Sequence, residues 1–204
     1  VSGGLDSMAL LHAMATVARA QIAAVATFDH GTGSAATVAA AHVARAAGVY
    51  GVPVVMGRID AREPSPSGRE AAWRRARYRF LREAAAALGA RIVTAHTRDD
   101  QVETVLMRIL RGSGARGLAA LEARSDLIRP LLDVSRAELR TFAESAGVWW
   151  MEDPSNESRE HLRNRVRLDL LPALRRADAA IDDMLIATGR RAAALRAEVE
   201  SFVD

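Results

Sequence analysis

Short runs rich in β-branched residues, at 22–28, 52–56 and 91–95, alternate along this chain with long helical stretches near 5–19, 34–48, 67–88 and 99–111. No other feature restricts its folding as severely. Strands that take turns with helices build βαβ units, and βαβ units build a parallel sheet covered on both faces. A weaker fourth strand falls at 127–131. The expected architecture is therefore α/β, a Rossmann-like parallel sheet with helices on both faces. Past Leu132 the pattern turns helical, near 135–146, 159–171 and 178–203. Three regions are expected: an α/β core over 1–133, a helical extension over 134–175, and a long helix over 176–204. Val1 reads as the last residue of a further strand, so the chain is expected to begin inside its natural sequence. The closing helix lacks a cap and is expected to lead into a further C-terminal domain.

The chain opens Ser2-Gly3-Gly4-Leu5-Asp6-Ser7 and runs straight into the apolar residues Met8-Ala9-Leu10-Leu11. Glycines at a strand-to-helix turn let a ligand approach the backbone closely. The helix behind them aims its unpaired N–H groups and the positive end of its dipole at whatever sits in the turn. Ser2 and Ser7 add hydroxyls, and Asp6 is a natural ligand for the magnesium that accompanies a polyphosphate. The loop reads as a pyrophosphate cradle. A plain turn with Asp6 as a cap is the competing reading of these residues alone. There is no G-x-x-x-x-G-K-[ST] string and no G-x-G-x-x-G fingerprint, which excludes a Walker loop and a dinucleotide site of that type.

Composition narrows the class. Among 204 residues, 50% are hydrophobic and 26% charged, ordinary for a globular protein with a real core. No apolar run is long enough to cross a bilayer and the N-terminus is not signal-like, so the cytoplasm is the expected compartment. The chain has no cysteine, which removes disulfides, thiolate metal sites and any persulfide or iron–sulfur chemistry carried by these residues. All 28 basic residues are arginine, yet the net charge is only +3. Their arrangement matters more than their number: Arg69, Arg74, Arg75, Arg77, Arg79 and Arg82 crowd one segment, as an RNA-binding face or a solvated helix would.

A second constellation follows the strand that ends at Ala95: His96-Thr97-Arg98-Asp99-Asp100-Gln101-Val102-Glu103-Thr104. Helical spacing puts Val102, Val105, Leu106 and Ile109 on the core face, with Asp100, Glu103, Thr104 and Arg111 opposite. Capping explains one or two acids near a helix start. It does not explain His96 at the strand exit together with Asp99, Asp100 and Glu103. Attack on an activated carbon needs a neutral amine, bound magnesium and a donor near the developing charge, and carboxylates can hold an ammonium before it loses its proton.

Two arginine patterns remain. Arg163 and Arg167 share a face four residues apart, a spacing that suits phosphate groups and also an ordinary solvated face. Glu70, Arg74 and Arg77 align in the same way with Tyr78 beside them, as an ion-pair network or as a phosphate or base contact.

The opening loop resembles the SGGxDS signature of the PP-loop ATP pyrophosphatases. In order along the chain come Ser2 to Ser7, Phe28-Asp29-His30-Gly31, Glu70-x-x-x-Arg74-x-x-Arg77-Tyr78, the His96 to Thr104 run, Arg129-Pro130-Leu131-Leu132, Asp153-Pro154-Ser155-Asn156 and Arg163-Asn164-x-x-Arg167. That ordered set resembles the bacterial tRNA(Ile)-lysidine synthetases over nearly the whole chain. The resemblance implies a PP-loop fold and a ligase that uses ATP and magnesium. Such an enzyme adenylates C2 of the wobble cytidine of an isoleucine tRNA with a CAU anticodon, then lets free L-lysine displace AMP. It implies that Ser2, Gly3, Gly4, Asp6 and Ser7 hold the ATP phosphates and magnesium, with Asp29 and His30 near the nucleotide. His96 and Asp100 would sit at the reaction centre, with Glu103 beside them for the lysine ammonium. Arg163, Asn164 and Arg167 would face phosphate or tRNA, and Arg74, Arg77 and Tyr78 would contact the tRNA. A homodimer is compatible with this reading and a membrane is not. In one departure, Thr32-Gly33 stands where the family often has Leu-Arg after Asp-His-Gly. His12, His42 and His161 match no motif.

Two other readings compete: another PP-loop ATP pyrophosphatase that adenylates a different substrate, and a non-catalytic nucleotide- or RNA-binding module. The second would need the phosphate loop but not His96, Asp100 and Glu103.

Overall fold

The computed structural model describes residues 1–29, 34–58, 69–123, 125–152 and 158–202. They fall into two compact units, one made of residues 1–95 and 137–152, the other of residues 96–136 and 153–204.

In the first unit, helix α1 (Leu5–Val17) is followed by strand β1 (Val25–Asp29), helix α2 (Ser34–Val49), strand β2 (Val54–Arg58), helix α3 (Arg69–Ala87) and the short strand β3 (Ile92–Val93). β1 and β2 pair in parallel, with Val25 opposite Val54 and Asp29 opposite Arg58. Side chains alternate across a strand, so each face of this pair has its own partner. Val25 packs with Met8 and Leu11 of α1 and with Val43 and Ala47 of α2. Phe28 meets Phe80 of α3, ring centroids 5.5 Å apart. This is the parallel α/β arrangement with helices on both faces that the alternating pattern demands.

Strand limits differ from the expectation for local reasons. Arg19–Gln21 forms a 3₁₀ turn, which delays β1. Val52 is spent on closing α2, its N–H donating to the Ala47 carbonyl at 2.9 Å, and Pro53 has no N–H to give a ladder. β2 therefore begins at Val54. Helix α6 (Arg136–Ser145) buries Leu139 and Ala143, and Val148 and Trp150 beyond it pack against the α1–β1–α2 cluster.

The second unit holds helix α4 (Arg98–Leu110), the short helix α5 (Ala115–Leu118), strand β4 (Leu127–Ile128), helix α7 (Leu162–Arg165), a π-helical turn (Val166–Leu170), helix α8 (Leu171–Ala177) and helix α9 (Ile181–Ser201). Its core joins Val102, Val105 and Leu106 of α4 to Val166, Leu171, Leu185 and Ile186. Ile109, expected on that face, is instead 44% exposed, one turn past the end of the buried stretch. The fourth strand stops at Ile128 because Arg129 to Val134 fold into successive turns around Pro130.

Gly57 is closely enclosed by two rings. A Cβ there would lie 2.6 Å from the Phe80 ring and 2.8 Å from the Phe28 ring. Gly57→Ala should lower stability by about 1–3 kcal/mol, the usual cost of overpacking, and a urea melt with an unchanged midpoint would contradict the packing described.

Candidate active site

The first candidate element is the loop before α1. Gly3 has φ +89°, a left-handed conformation that a side chain would strain, and it is held in place by Met151, whose N–H donates to the Gly3 carbonyl at 2.9 Å. The Ser7 hydroxyl donates to the Gly4 carbonyl at 3.0 Å, and its oxygen accepts the Ser2 N–H at 3.1 Å. The Ser2 and Ser7 hydroxyls lie 3.2 Å apart. Gly4 is the N-cap of α1 and supplies no side-chain cap, so the first turn relies on another acceptor for its N–H groups. Asp6 sits on that first turn. A preorganised glycine turn, two hydroxyls and a helix start whose N-cap has no side chain are groups that can receive an anion. Gly3→Ala should raise the ATP concentration needed for half-saturation about tenfold or more, because a Cβ at this positive φ drives the loop out of its left-handed conformation. Equilibrium ATP binding reads this directly.

The second element is the start of α4. Thr97 and Asp100 form a reciprocal cap: the Asp100 carboxylate accepts the Thr97 N–H at 2.9 Å, and the Thr97 hydroxyl oxygen accepts the Asp100 N–H at 3.3 Å. Capping does not exhaust the acids here. Asp100 is 8% exposed and Glu103 only 1%, so the acidic side of α4 is interior rather than solvent-facing. Buried carboxylates require countercharge, and α7 and the π turn supply it. Arg163 donates through Nε to Glu103 at 2.7 Å and through Nη2 to Asp100 at 2.8 Å. Arg167 donates through Nε and Nη2 to the two oxygens of Glu103, at 2.5 and 2.9 Å. Burial is the largest influence on Asp100 and pushes its carboxyl up. The Arg163 charge, the Thr97 N–H and the charges of Arg136 and His96 together outweigh it, holding Asp100 below the usual carboxylate range. Burial likewise pushes the Arg163 guanidinium down, and Glu103 and Asp100 more than restore it.

Two members of this cluster had no motif to announce them. The Arg136 N–H donates to Asp99 at 2.7 Å, and its guanidinium lies 3.9 Å from Asp100. Arg175 of α8 pairs with Asp182 at 2.8 Å and lies 3.8 Å from Asp99. The available signal was the demand itself: acids on a helix whose other face is already core need arginines from elsewhere.

The remaining sequence candidates are dispersed. Asp29 ends β1 at the carboxyl edge of the parallel pair, 3.7 Å from Arg58. Ligands of parallel sheets bind beyond such edges. Tyr78 is buried, with the guanidinium carbons of Arg74, Arg77 and Arg82 at 5.0, 5.4 and 5.9 Å from its ring centroid. Asn164 is buried and donates to the Ser158 carbonyl at 2.7 Å. His96 precedes the Thr97 cap and is half-buried. His30 and Asp153 to Asn156 lie outside the described residues, as does the Glu70 side chain.

An α/β unit with a glycine turn at a helix start, in a chain that also carries buried carboxylates on α4, has the build of the PP-loop class of proteins. The chain belongs to the PP-loop domain family, whose model matches residues 1–174. Within that family it is similar to proteins named tRNA(Ile)-lysidine synthase. That of Salinispora tropica is 47% identical over 201 residues, covering 93% of this chain and 60% of the relative. That of Rhodopseudomonas palustris is 42% identical over 214 residues, covering 100% of this chain and 61% of the relative. The Burkholderia mallei protein is 40% identical, and the match covers 95% of this chain and 41% of that protein. The chain thus spans about 40–60% of the length of these curated relatives. Among solved structures, the U34-tRNA thiolase NcsA from Methanococcus maripaludis, with its [4Fe-4S] cluster, superposes with a TM-score of 0.76 at 16% identity. The match covers 94% of this chain and 70% of that one, a likeness of fold alone. Among the described residues, no helix is long and apolar enough to cross a membrane.

Proposed function

We propose that this chain forms the catalytic part of a ligase that joins free L-lysine to C2 of the wobble cytidine of an isoleucine tRNA with a CAU anticodon. The observation that carries the reading is the 47% identity, over 93% of the chain, to a protein named tRNA(Ile)-lysidine synthase. In the first half-reaction the cytidine O2 attacks the α-phosphorus of ATP and pyrophosphate leaves. In the second, the neutral lysine amine attacks C2, the C2–O2 bond breaks with release of AMP, and the surplus amine proton passes to a base.

The residues suit these tasks. Backbone N–H groups at Gly3, Gly4 and the start of α1, with the Ser2 and Ser7 hydroxyls, can receive a pyrophosphate as it forms. Asp29 and His30 would stand beside the nucleotide, and Arg74, Arg77 and Tyr78 would serve the tRNA. Asp100, ionised and oriented by its cap and its arginines, is suited to receive a proton or to hold an ammonium, with His96 and Glu103 beside it.

Magnesium is implied by the use of ATP. Among the described residues, no group of three or more His, Asp or Glu could cage a metal by itself. A magnesium that accompanies ATP takes one or two carboxylates, with phosphate oxygens and waters completing the shell, and Asp6 on the first turn of α1 would be its carboxylate. The ion would neutralise charge on the phosphates.

The test incubates the purified protein with ATP, magnesium, radiolabelled lysine and unmodified isoleucine tRNA carrying CAU. Label that survives mild alkali and disappears when the wobble cytidine is changed supports lysidine formation. Folded protein that binds ATP but leaves no such label would refute it and favour another PP-loop activity or a binding module.

A further inference from the structure

Arg163 and Arg167 lie four residues apart, a spacing that suits two phosphates, but the structure turns Arg167 inward. Its Nε and Nη2 take both oxygens of Glu103, its guanidinium comes within 4.0 Å of Asp100, and its side chain is 23% exposed. With Arg163 Nε on the same carboxylate, three of the roughly four acceptor sites of Glu103 are filled. We infer that Arg167 is a positioning residue, which acts through Glu103 to hold the Asp100–Glu103 pair rather than by touching RNA. The inference rests on the lysidine-forming reading of the same site.

The backbone is built for this. Arg167 stands in the π turn, where the Leu171 N–H reaches back five residues to the Val166 carbonyl. Val166 and Leu171 are 1% and 2% exposed. In an α-helix, residues five apart point about 140° away from each other, whereas a π turn brings them to nearly one face. Pro172 favours the wider turn, because it has no N–H for the Leu168 carbonyl and its ring crowds that group. Two buried anchors therefore bracket Arg167 and fix its backbone against α4. Nothing in this arrangement needs RNA to orient the guanidinium.

A double-mutant cycle of R167M and E103Q separates positioning from RNA contact. Methionine and glutamine keep most of the volume, and the double variant removes both charges together, so it should fold even where R167M alone is weakened. R167M and E103Q should each lower kcat about 10- to 100-fold. The double variant should be no worse than the poorer single, and KM for tRNA should stay within about twofold of the parent. The dependence of tRNA binding on salt should not change. A direct phosphate contact predicts the opposite: a raised KM for tRNA and a salt slope smaller by about 0.7–1, whatever residue stands at 103. That result, additive losses in the cycle, or full activity of R167M would overturn the inference. Filter binding of tRNA to R167M needs no turnover. Binding equal to the parent with an unchanged slope supports positioning even if the parent makes no lysidine, an outcome that would sink only the functional reading.

Discussion

Asp100→Asn should lower kcat for lysine transfer by about 10³-fold, within the range attributed to a positioned acid or base, while ATP binding at the α1 loop stays near normal. Asparagine keeps the shape of the cap at Thr97 and so leaves α4 in place, but it cannot take a proton from an amine or offer Arg163 a charged acceptor. Near-normal turnover by the folded variant would remove Asp100 from the mechanism. The parent chain should show a matching pH signature. Asp100 is held below its ordinary value of 3.8, so activity that needs its carboxylate should persist in mild acid and fail only below the usual carboxylate range. Stability follows the same sign: the contribution of the ionised Asp100 is complete above the unfolded-state value and is lost as pH falls through the lower folded-state value.

Arg163→Gln should act on the same group from the other side. Arg163 is the strongest influence holding Asp100 down, and burial, which pushes it up, remains after the substitution. The acid limb of the activity profile should therefore move to higher pH. Removing one partner from largely buried carboxylates typically costs about 3 kcal/mol, which in a domain of this size lowers Tm by about 6–12 °C. Both effects come from one measurement series, kcat and thermal melts across pH. An acid limb that stays where it is in R163Q would mean that Arg163 does not keep Asp100 ionised.

The alternation of strand and helix carried most of the fold because its cause is local: β-branched runs and 3.6-residue periodicity are visible in any short window. The limits of β1 and β2 were less legible, since Pro53 and the closing bond at Val52 decide them. The candidate site was half legible. Spacing places Asp100 and Glu103 away from Val102 and Val105, which is correct for the helix, but it reads that side as open. What buries it is Arg163 and Arg167, some sixty residues later in the chain, and no local pattern announces so distant a partner. The π turn was not legible: spacing gives the regular stripe Leu162, Val166, Leu170, whereas the structure buries Val166 and Leu171, five residues apart.

The bond from Met151 to Gly3 has a consequence for biogenesis. The Gly3 loop leaves the ribosome well before the strut that sets its curvature, which is made later together with Val148 and Trp150, residues that pack on the same unit. A nascent chain stalled before Met151 would present the glycines without their buttress. A nucleotide would meet that loop without its strut until Met151 has been made.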